Sequence, residues 1–145
     1  MNVYLKPSII LGAIAGAILG FFTLIPVLNM FSCLMYSFIG AGVIIYLKQN
    51  NLVGILTVKD GAIIGAISGG IGMIAAALVY LPISLILNLI FKTYYSFGFN
   101  LGSSFLINSF NLLVIVMLVM FLAMLCALFN SFSGLAASWV YEKIE

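Results

Sequence analysis

The chain has 145 residues, of which 66% are hydrophobic and only 6% are charged, and its formal net charge is +2. A soluble domain usually has about a quarter of its residues charged, so this composition indicates an integral membrane protein. The small net charge gives no reason to expect a nucleic-acid partner. The sequence contains no histidine and no arginine.

The charged residues leave three long apolar runs, 7–47, 61–91 and 93–141. A membrane-spanning helix needs about 20 apolar residues, so the first run has room for two spans and each of the others for one. We therefore predict an all-α protein with four transmembrane helices in a single membrane domain, 1–145; three spans are the alternative. Membrane barrel strands would alternate apolar and polar residues, which these runs do not. A signal peptide is disfavoured because the first apolar stretch continues into the second without a clean cleavage site.

The first predicted span runs from about Ser8 to Ile25, where Pro26 ends or kinks the helix because proline has no backbone N–H. The second follows directly, from about Val27 to Leu47, so that the first two spans form an antiparallel hairpin. Asp60 is predicted to cap the third span, since a carboxylate suits the positive end of a helix.

The third span is predicted to end at Pro82, followed by an amphipathic segment at the membrane surface, 83–92. The alternative is that this segment is simply the protruding end of a long third helix. An aromatic belt and a polar loop follow over 94–104, and the fourth span covers about 105–133, with a longer helix reaching Tyr141 as an alternative.

Lysine placement predicts the orientation of the protein in the cell membrane. With four spans, one side carries four lysines and the other side carries Lys92 alone. Positive charge is retained on the cytoplasmic side, so this multi-pass protein is predicted to have both termini in the cytoplasm. The four lysines are Lys6, Lys48, Lys59 and Lys143.

One sequence motif occurs twice. The segments 12–20 (GAIAGAILG) and 61–69 (GAIIGAISG) agree at seven of nine positions, and each opens a predicted odd-numbered span. A duplicated helical hairpin, with repeats at 6–48 and 59–143, explains the match; convergent membrane composition is the alternative. Two tandem hairpins would then be related by an axis along the membrane normal.

The glycines of this motif recur every fourth residue and therefore share one helix face. Lipid provides no hydrophobic drive for helices to associate, so faces of small residues that permit close van der Waals contact are expected at helix interfaces. The predicted helix-packing residues are Gly12, Gly16, Gly20, Gly61, Gly65, Gly69 and Gly134.

The polar groups inside the predicted spans are amides and hydroxyls. Asn108, Asn111 and Asn130 are candidates for a polar seam that lines a path or a small-solute site. The competing interpretation is that they form ordinary hydrogen bonds between helices. We predict no metal site and no cofactor, and no catalytic residues, because no nucleophile, acid–base pair or ligand cluster is recognisable.

The repeated glycine series, the Gly40-Ala-Gly42 pair before Lys48, and the Asp60-Gly61-Ala62 restart resemble small archaeal glycine-repeat multi-span membrane proteins of unknown function. The resemblance implies a multi-span fold and no activity. The C-terminal Gly134-Leu135-Ala136 is looser than the glycine pairs expected of such proteins.

Two functions remain after an enzyme is set aside. The first is a structural or accessory subunit that packs through small-residue faces, self-associates as a homo-oligomer or docks on a larger membrane complex. The second is a passive channel, or a protein that binds lipid or a small solute through its intramembrane Asn and Ser groups. A proton-coupled carrier is disfavoured, because such proteins place ionisable groups within their spans and none is predicted here.

Overall fold

The computed structural model describes residues 2–54, 56–91 and 109–144, and these residues form α-helices joined by short turns. The side chains of 2–3, 26–27, 29–30, 33, 85, 88–91 and 109–112 are outside the description. The helices are α1 (Asn2–Phe22), α2 (Pro26–Ser37), α3 (Ile39–Gln49), α4 (Val58–Phe91) and α5 (Ser109–Ile144).

Within the described residues, three helical stretches are long and apolar enough to cross a membrane: Tyr4–Phe22, Val58–Ser84 and Leu113–Ile144. The all-helical, membrane-type fold predicted from composition is confirmed, but the continuous second span is not. The structure divides that segment into α2 and α3, of which Ile39–Gln49 is a shorter apolar helix. No proline or glycine occupies the break itself, which lies at Phe38.

The start of α4 differs from the predicted cap at Asp60. Helix α4 begins at Val58, so Thr57 holds the capping position and Asp60 lies in the first turn. The Asp60 carboxylate accepts hydrogen bonds from the Thr57 backbone N–H (3.2 Å) and hydroxyl (2.7 Å), while the Asp60 N–H faces the Thr57 hydroxyl oxygen at 3.3 Å. This reciprocal arrangement is a capping box, in which Asp60 supports the cap and is not the cap itself.

The predicted end of the third helix at Pro82 is also wrong. Helix α4 continues through Pro82 to Phe91 without a break, as the alternative of one long helix required. A proline removes one helical hydrogen bond, and in a membrane helix neighbouring groups can compensate for that loss. The predicted aromatic belt and loop at 94–104, and Lys92 itself, lie outside the described residues.

Helix α4 lies between α1 and α5 and contacts both through small residues. On the α1 side, Gly12 is next to Ser68, Gly16 next to Gly72, and Gly20 next to Ala76. Residue numbers rise together along this contact, so α1 and α4 run parallel. Close approach of the two backbones follows from the absence of large side chains on either face.

On its other side α4 packs against α5 in the opposite direction. Gly61 lies beside Ser138, Gly65 beside Gly134, and Gly69 beside Asn130, with α5 numbers falling as α4 numbers rise. These two helices are therefore antiparallel. The two repeated glycine series do not pack face to face; the series on α1 meets one face of α4, and the series on α4 uses a different face to meet α5.

The charged residues of the described chain gather at one end of the bundle, called here the charged end. The Lys48 ammonium lies 5.9 Å from the centre of the Tyr141 ring, and the start of α4 at Gly61 lies against the end of α5 at Ser138. Below this end, Tyr4 and Tyr141 pack on a buried cluster that includes Leu47. The charged end thus brings together the start of α1, the end of α3, the start of α4 and the end of α5.

Substituting Gly16 with Ala should destabilise the bundle. A β-carbon at Gly16 would overlap the backbone of Gly72, so α1 and α4 would have to separate. Overpacking of this kind costs about 1–3 kcal/mol. The measurement is the loss of helical circular dichroism as sodium dodecyl sulfate is titrated into detergent micelles containing the protein.

Gly42→Ala is the matched control, because it makes the same chemical change at a helical glycine whose β-carbon would meet no atom within 4 Å. Alanine is favoured over glycine in a helix by about 1 kcal/mol, so this variant should be unchanged or slightly more stable. Equal stability of the Gly16 and Gly42 variants would contradict the close α1–α4 contact.

Candidate functional site

The break between α2 and α3 interrupts the hydrogen-bonding pattern of the helix. Phe38 has φ −102° and ψ 0°, outside the helical region, and its N–H donates to the Met35 carbonyl oxygen at 3.1 Å, one residue short of the usual spacing. In an unbroken helix the Gly40 N–H would donate to the Tyr36 carbonyl four residues earlier. The break separates these two groups, and both then require another partner.

Asn130 of α5 supplies that partner for both groups. Its Oδ1 accepts a hydrogen bond from the Gly40 N–H at 2.7 Å, and its Nδ2 donates to the Tyr36 carbonyl oxygen at 2.7 Å. The amide therefore replaces one helical hydrogen bond with two. The same Nδ2 also donates to the Cys126 carbonyl oxygen of its own helix at 2.8 Å. We call this arrangement the Asn130 bridge.

The orientation of the Asn130 amide follows from its partners. A backbone N–H can only donate and a carbonyl can only accept, so the side-chain oxygen must face Gly40 and the nitrogen must face the two carbonyls. Asn130 is fully buried, with 0% of its surface exposed. Since water is excluded from this position, the three hydrogen bonds are all that satisfies the amide.

Glycines on neighbouring helices make space for the bridge. A β-carbon at Gly69 would overlap the Asn130 side chain, and one at Gly65 would overlap the Asn130 carbonyl. Gly40 also lies close to α4 and α5. A β-carbon added at Gly40 would lie 2.6 Å from the Asn130 carbonyl oxygen and 2.9 Å from the Gly65 α-carbon. Three helices, α3, α4 and α5, therefore meet at Asn130 because each carries a glycine or the amide there.

The buried hydroxyls nearby bond to their own helices. Ser68 donates to the Gly65 carbonyl at 3.1 Å and Ser138 to the Gly134 carbonyl at 3.0 Å, while Ser32 donates to the Leu28 carbonyl at 3.0 Å. Among the described residues, no buried side-chain nitrogen or oxygen is without a hydrogen-bond partner. The interior described here therefore has its polar groups engaged within the protein.

Of the three asparagines predicted to form a polar seam, only Asn130 has a described side chain at this junction. Asn111 belongs to α5, but its side chain is outside the description, and Asn108 lies outside the described residues altogether. The positions of Asn111 and Asn130 are 19 residues apart on α5, which corresponds to about 28 Å along a helix axis. These two asparagines consequently cannot line one small site together.

The predicted packing glycines all lie in buried positions. Gly12, Gly16 and Gly20 face α4, as described above, and the glycines of α4 face α5. The seventh, Gly134 of α5, lies against Gly61 and Gly65. The two repeated series pair with different faces and do not form a simple twofold arrangement.

Four residues that contribute to the contacts were not predicted from the sequence. Ser68, Gly72 and Ala76 form the second small-residue face of α4, and their spacing of four residues was a readable signal. Gly40 was noted only for its glycine pair before Lys48, whereas its N–H donates a hydrogen bond to Asn130. The position of the break at Phe38 carried no comparable signal.

No family model, characterised protein or solved structure matches this chain. The resemblance to small archaeal membrane proteins therefore stays an expectation from the sequence.

Replacing Asn130 with Ala should destabilise the α2–α3 junction specifically. The Gly40 N–H and the Tyr36 carbonyl would lose their partners in a buried place, and each unsatisfied group costs about 1–3 kcal/mol. We expect faster hydrogen exchange at the Gly40 amide, measured by NMR in micelles, together with lower resistance to sodium dodecyl sulfate.

Asn50→Ala is the control, because the Asn50 amide also donates to a carbonyl of its own helix, at 2.9 Å, but in an exposed position. This variant should leave the Gly40 exchange rate unchanged. The bridge would be refuted by an Asn130 variant whose Gly40 amide exchanges as slowly as in the unmodified protein.

Proposed function

We propose that the protein is a non-catalytic structural or accessory subunit of the membrane, which folds as a tight helical bundle and docks on a larger membrane complex or on copies of itself. The observation that carries this proposal is the use of the interior polar groups. The Asn130 amide has three hydrogen bonds to backbone groups, and the buried serines bond to their own helices. An interior whose polar groups are hydrogen-bonded within the protein is better suited to helix packing than to transport.

The glycine faces support a bundle within one chain. Both faces of α4 and the glycine face of α1 are already occupied by contacts inside the chain. A partner would accordingly use the outer surface. Among α1, α4 and α5, helix α5 is the least covered, since 17% of an apolar 18-residue stretch is buried within the protein, against 28% for α1 and 33% for α4.

The outer surface of α5 is suited to contact with another helix. This surface includes three methionines at helical spacing, Met117, Met120 and Met124. Each of them exposes more than half of its surface. Methionine side chains are flexible and polarisable, so they adapt to irregular partner surfaces. We propose this face as the docking surface of the subunit.

The second candidate is a passive channel or a lipid- or small-solute-binding protein. Its support in the sequence is the pair Asn108 and Asn111. Asn111 lies in the first turn of α5, at the end of the bundle opposite the charged end, and Asn108 lies outside the described residues. Asn130 lends this candidate little support, because its amide is fully engaged.

The topology proposed for either function has four helical passes: α1, the α2–α3 pair, α4 and α5. The charged end, with Lys6, Lys48, Lys59 and Lys143, supports placing both termini on the cytoplasmic side. Tandem hairpins with a duplicated origin also belong to this proposal, supported by the matching segments 12–20 and 61–69.

The topology predicts that Asn50 and Gly102 lie on opposite sides of the membrane. In a background without Cys33 and Cys126, cysteines introduced at these two positions should react with a membrane-impermeant maleimide from opposite sides. Intact cells should label the Gly102 variant, and permeabilised cells should label both. Labelling of both variants from the same side would refute the four-pass arrangement.

The docking surface predicts a loss of partners without a loss of folding. Met120→Ala together with Met124→Ala removes exposed packing atoms from α5, so native-mass measurements in mild detergent should show fewer assembled complexes. Resistance to sodium dodecyl sulfate should be unchanged, because neither side chain is buried. Ile10→Ala with Ile14→Ala, at exposed positions on α1, is the matched control and should assemble normally.

The same preparation separates the two candidate functions. Replacing Asn108 and Asn111 with Leu should leave assembly intact in a structural subunit, and liposomes containing that variant should show the same solute flux as the unmodified protein. A variant that assembles normally yet abolishes a measurable flux would refute the structural function in favour of a channel.

A further inference from the structure

Five residues of α5 form one strip on the outside of the bundle. They recur at intervals of three or four positions and therefore share one helix face. In order toward the charged end they are Leu128, Phe132, Leu135, Trp139 and Lys143. The first four expose between 39% and 71% of their surface, and Lys143 is exposed as well. We call this surface the α5 strip.

The chemistry of the α5 strip changes along its length. Three apolar side chains lead to the half-exposed Trp139 ring, and Lys143 comes last. Tryptophan rings are enriched at the boundary between hydrocarbon and headgroups, and lysine extends its ammonium group beyond that boundary. Lys143 lies 15 positions from Leu128, which corresponds to about 22 Å along a helix. One leaflet with its headgroups is about equally thick, so the α5 strip has the length and the polarity of a single phospholipid.

The contacts of α4 with both of its neighbours place Trp139 at the level of a membrane surface. Gly61 of α4 lies beside the residue that precedes Trp139. Gly12 of α1 lies beside Ser68, and the two helices run parallel, so the level of Gly61 on α1 is close to Tyr4. The membrane-spanning stretch of α1 begins at Tyr4. Trp139 therefore lies at the height at which α1 enters the membrane.

The Trp139 ring fixes the position of the Lys143 charge. The Lys143 ammonium lies 4.6 Å from the centre of that ring, a distance at which a cation is attracted to the face of an aromatic ring. The neighbouring carboxylate, Glu142, is turned about 100° around the helix. The Asp60 carboxylate accepts hydrogen bonds from Thr57. The α5 strip consequently has a positive charge at the end where a lipid headgroup would lie.

We propose that the α5 strip binds an anionic phospholipid, with its acyl chains against the apolar residues and its headgroup phosphate on the Lys143 ammonium. A zwitterionic lipid offers the same acyl chains, but its own cation competes with the lysine for the phosphate. A headgroup with net negative charge is therefore the better complement to Lys143. In the topology proposed above, this lipid belongs to the cytoplasmic leaflet, where anionic lipids are found.

Trp139 is the only tryptophan of the chain, so tryptophan fluorescence reports on the lipids beside the α5 strip. The full-length protein is placed in vesicles of brominated phosphatidylcholine, which quenches tryptophan on contact. Phosphatidylglycerol without bromine, or phosphatidylcholine without bromine as the reference, then replaces part of the brominated lipid. The recovery of fluorescence gives the binding constant of phosphatidylglycerol relative to phosphatidylcholine. We expect a ratio of about five, the contribution of one lysine near an anionic lipid surface. A ratio of about one would overturn the proposal.

Variants of exposed lysines test whether Lys143 causes the preference. Lys143→Gln should lower the ratio to about one, and Lys143→Arg should retain it. Lys6→Gln is the matched control, because it removes the same charge at the charged end, but from α1, which α4 separates from α5. This control should keep the ratio of the unmodified protein. Retention of the preference in Lys143→Gln, or its equal loss in Lys6→Gln, would contradict a site at the α5 strip.

The depth of Trp139 is the second test. Bromines next to the headgroup should quench its fluorescence more strongly than bromines at the ends of the acyl chains, because the ring lies at the headgroup boundary. Quenching mainly from the chain ends would contradict this position. If no brominated lipid quenched the fluorescence, another protein surface would cover the α5 strip, and the proposal would be overturned.

This inference goes beyond the proposed structural function and shares only the membrane setting with it. The docking surface of Met117, Met120 and Met124 lies farther from the charged end than the α5 strip does. Loss of a protein partner from the methionine variants would leave the lipid preference at Trp139 unaffected, so the two proposals can fail separately.

Discussion

The constraint on which the rest of the structure depends is the need to satisfy every backbone polar group without water. In hydrocarbon an unpaired N–H or C=O has no alternative partner, so helices are retained and interruptions are allowed only where the protein supplies a substitute. The break at Phe38 is such an interruption, and the Asn130 amide is its substitute. One side chain thereby determines both where the α2–α3 segment can bend and where α5 must lie against it. The glycines around Asn130 follow from this, because the amide reaches Gly40 only if α4 leaves room at Gly65 and Gly69.

Close approach of the helices depends on the same small residues. The central helix α4 carries two small faces, one toward α1 and one toward α5, and these contacts hold the bundle together. Dispersion forces between backbones at this distance replace the hydrophobic effect that would drive a soluble core. Many large apolar side chains lie on the outside, where Ile14, Phe132 and Leu78 are exposed. In a membrane that exterior is matched to lipid.

Much of the fold could be predicted, because the long apolar runs indicate membrane-spanning helices. The four-residue spacing of the glycines places them on one helix face. The apolar length of α1, α4 and α5 was readable, and so were the buried positions of Gly16 and Gly65. The partner of each face was not readable, since a small-residue face fits any other small-residue face. The break at Phe38 could not be predicted because its cause, Asn130, is 92 positions away in the chain. Thr57 was overlooked as a cap because Asp60 satisfied the same pattern with a stronger charge.

The two copies of the glycine motif show how position changes the use of a sequence. In α1 the motif faces a parallel helix, and in α4 it faces an antiparallel one. If the hairpins were packed as equivalent units, α1 would make its closest contact with its own hairpin partner, as α4 does with α5. The α2–α3 segment is bent at Phe38 and leaves a groove against α1, so it cannot provide the straight small-residue face that α5 provides. Helix α1 instead contacts the second small face of α4, the face of Ser68, Gly72 and Ala76. The different packing of the two glycine motifs therefore follows from the break at Phe38.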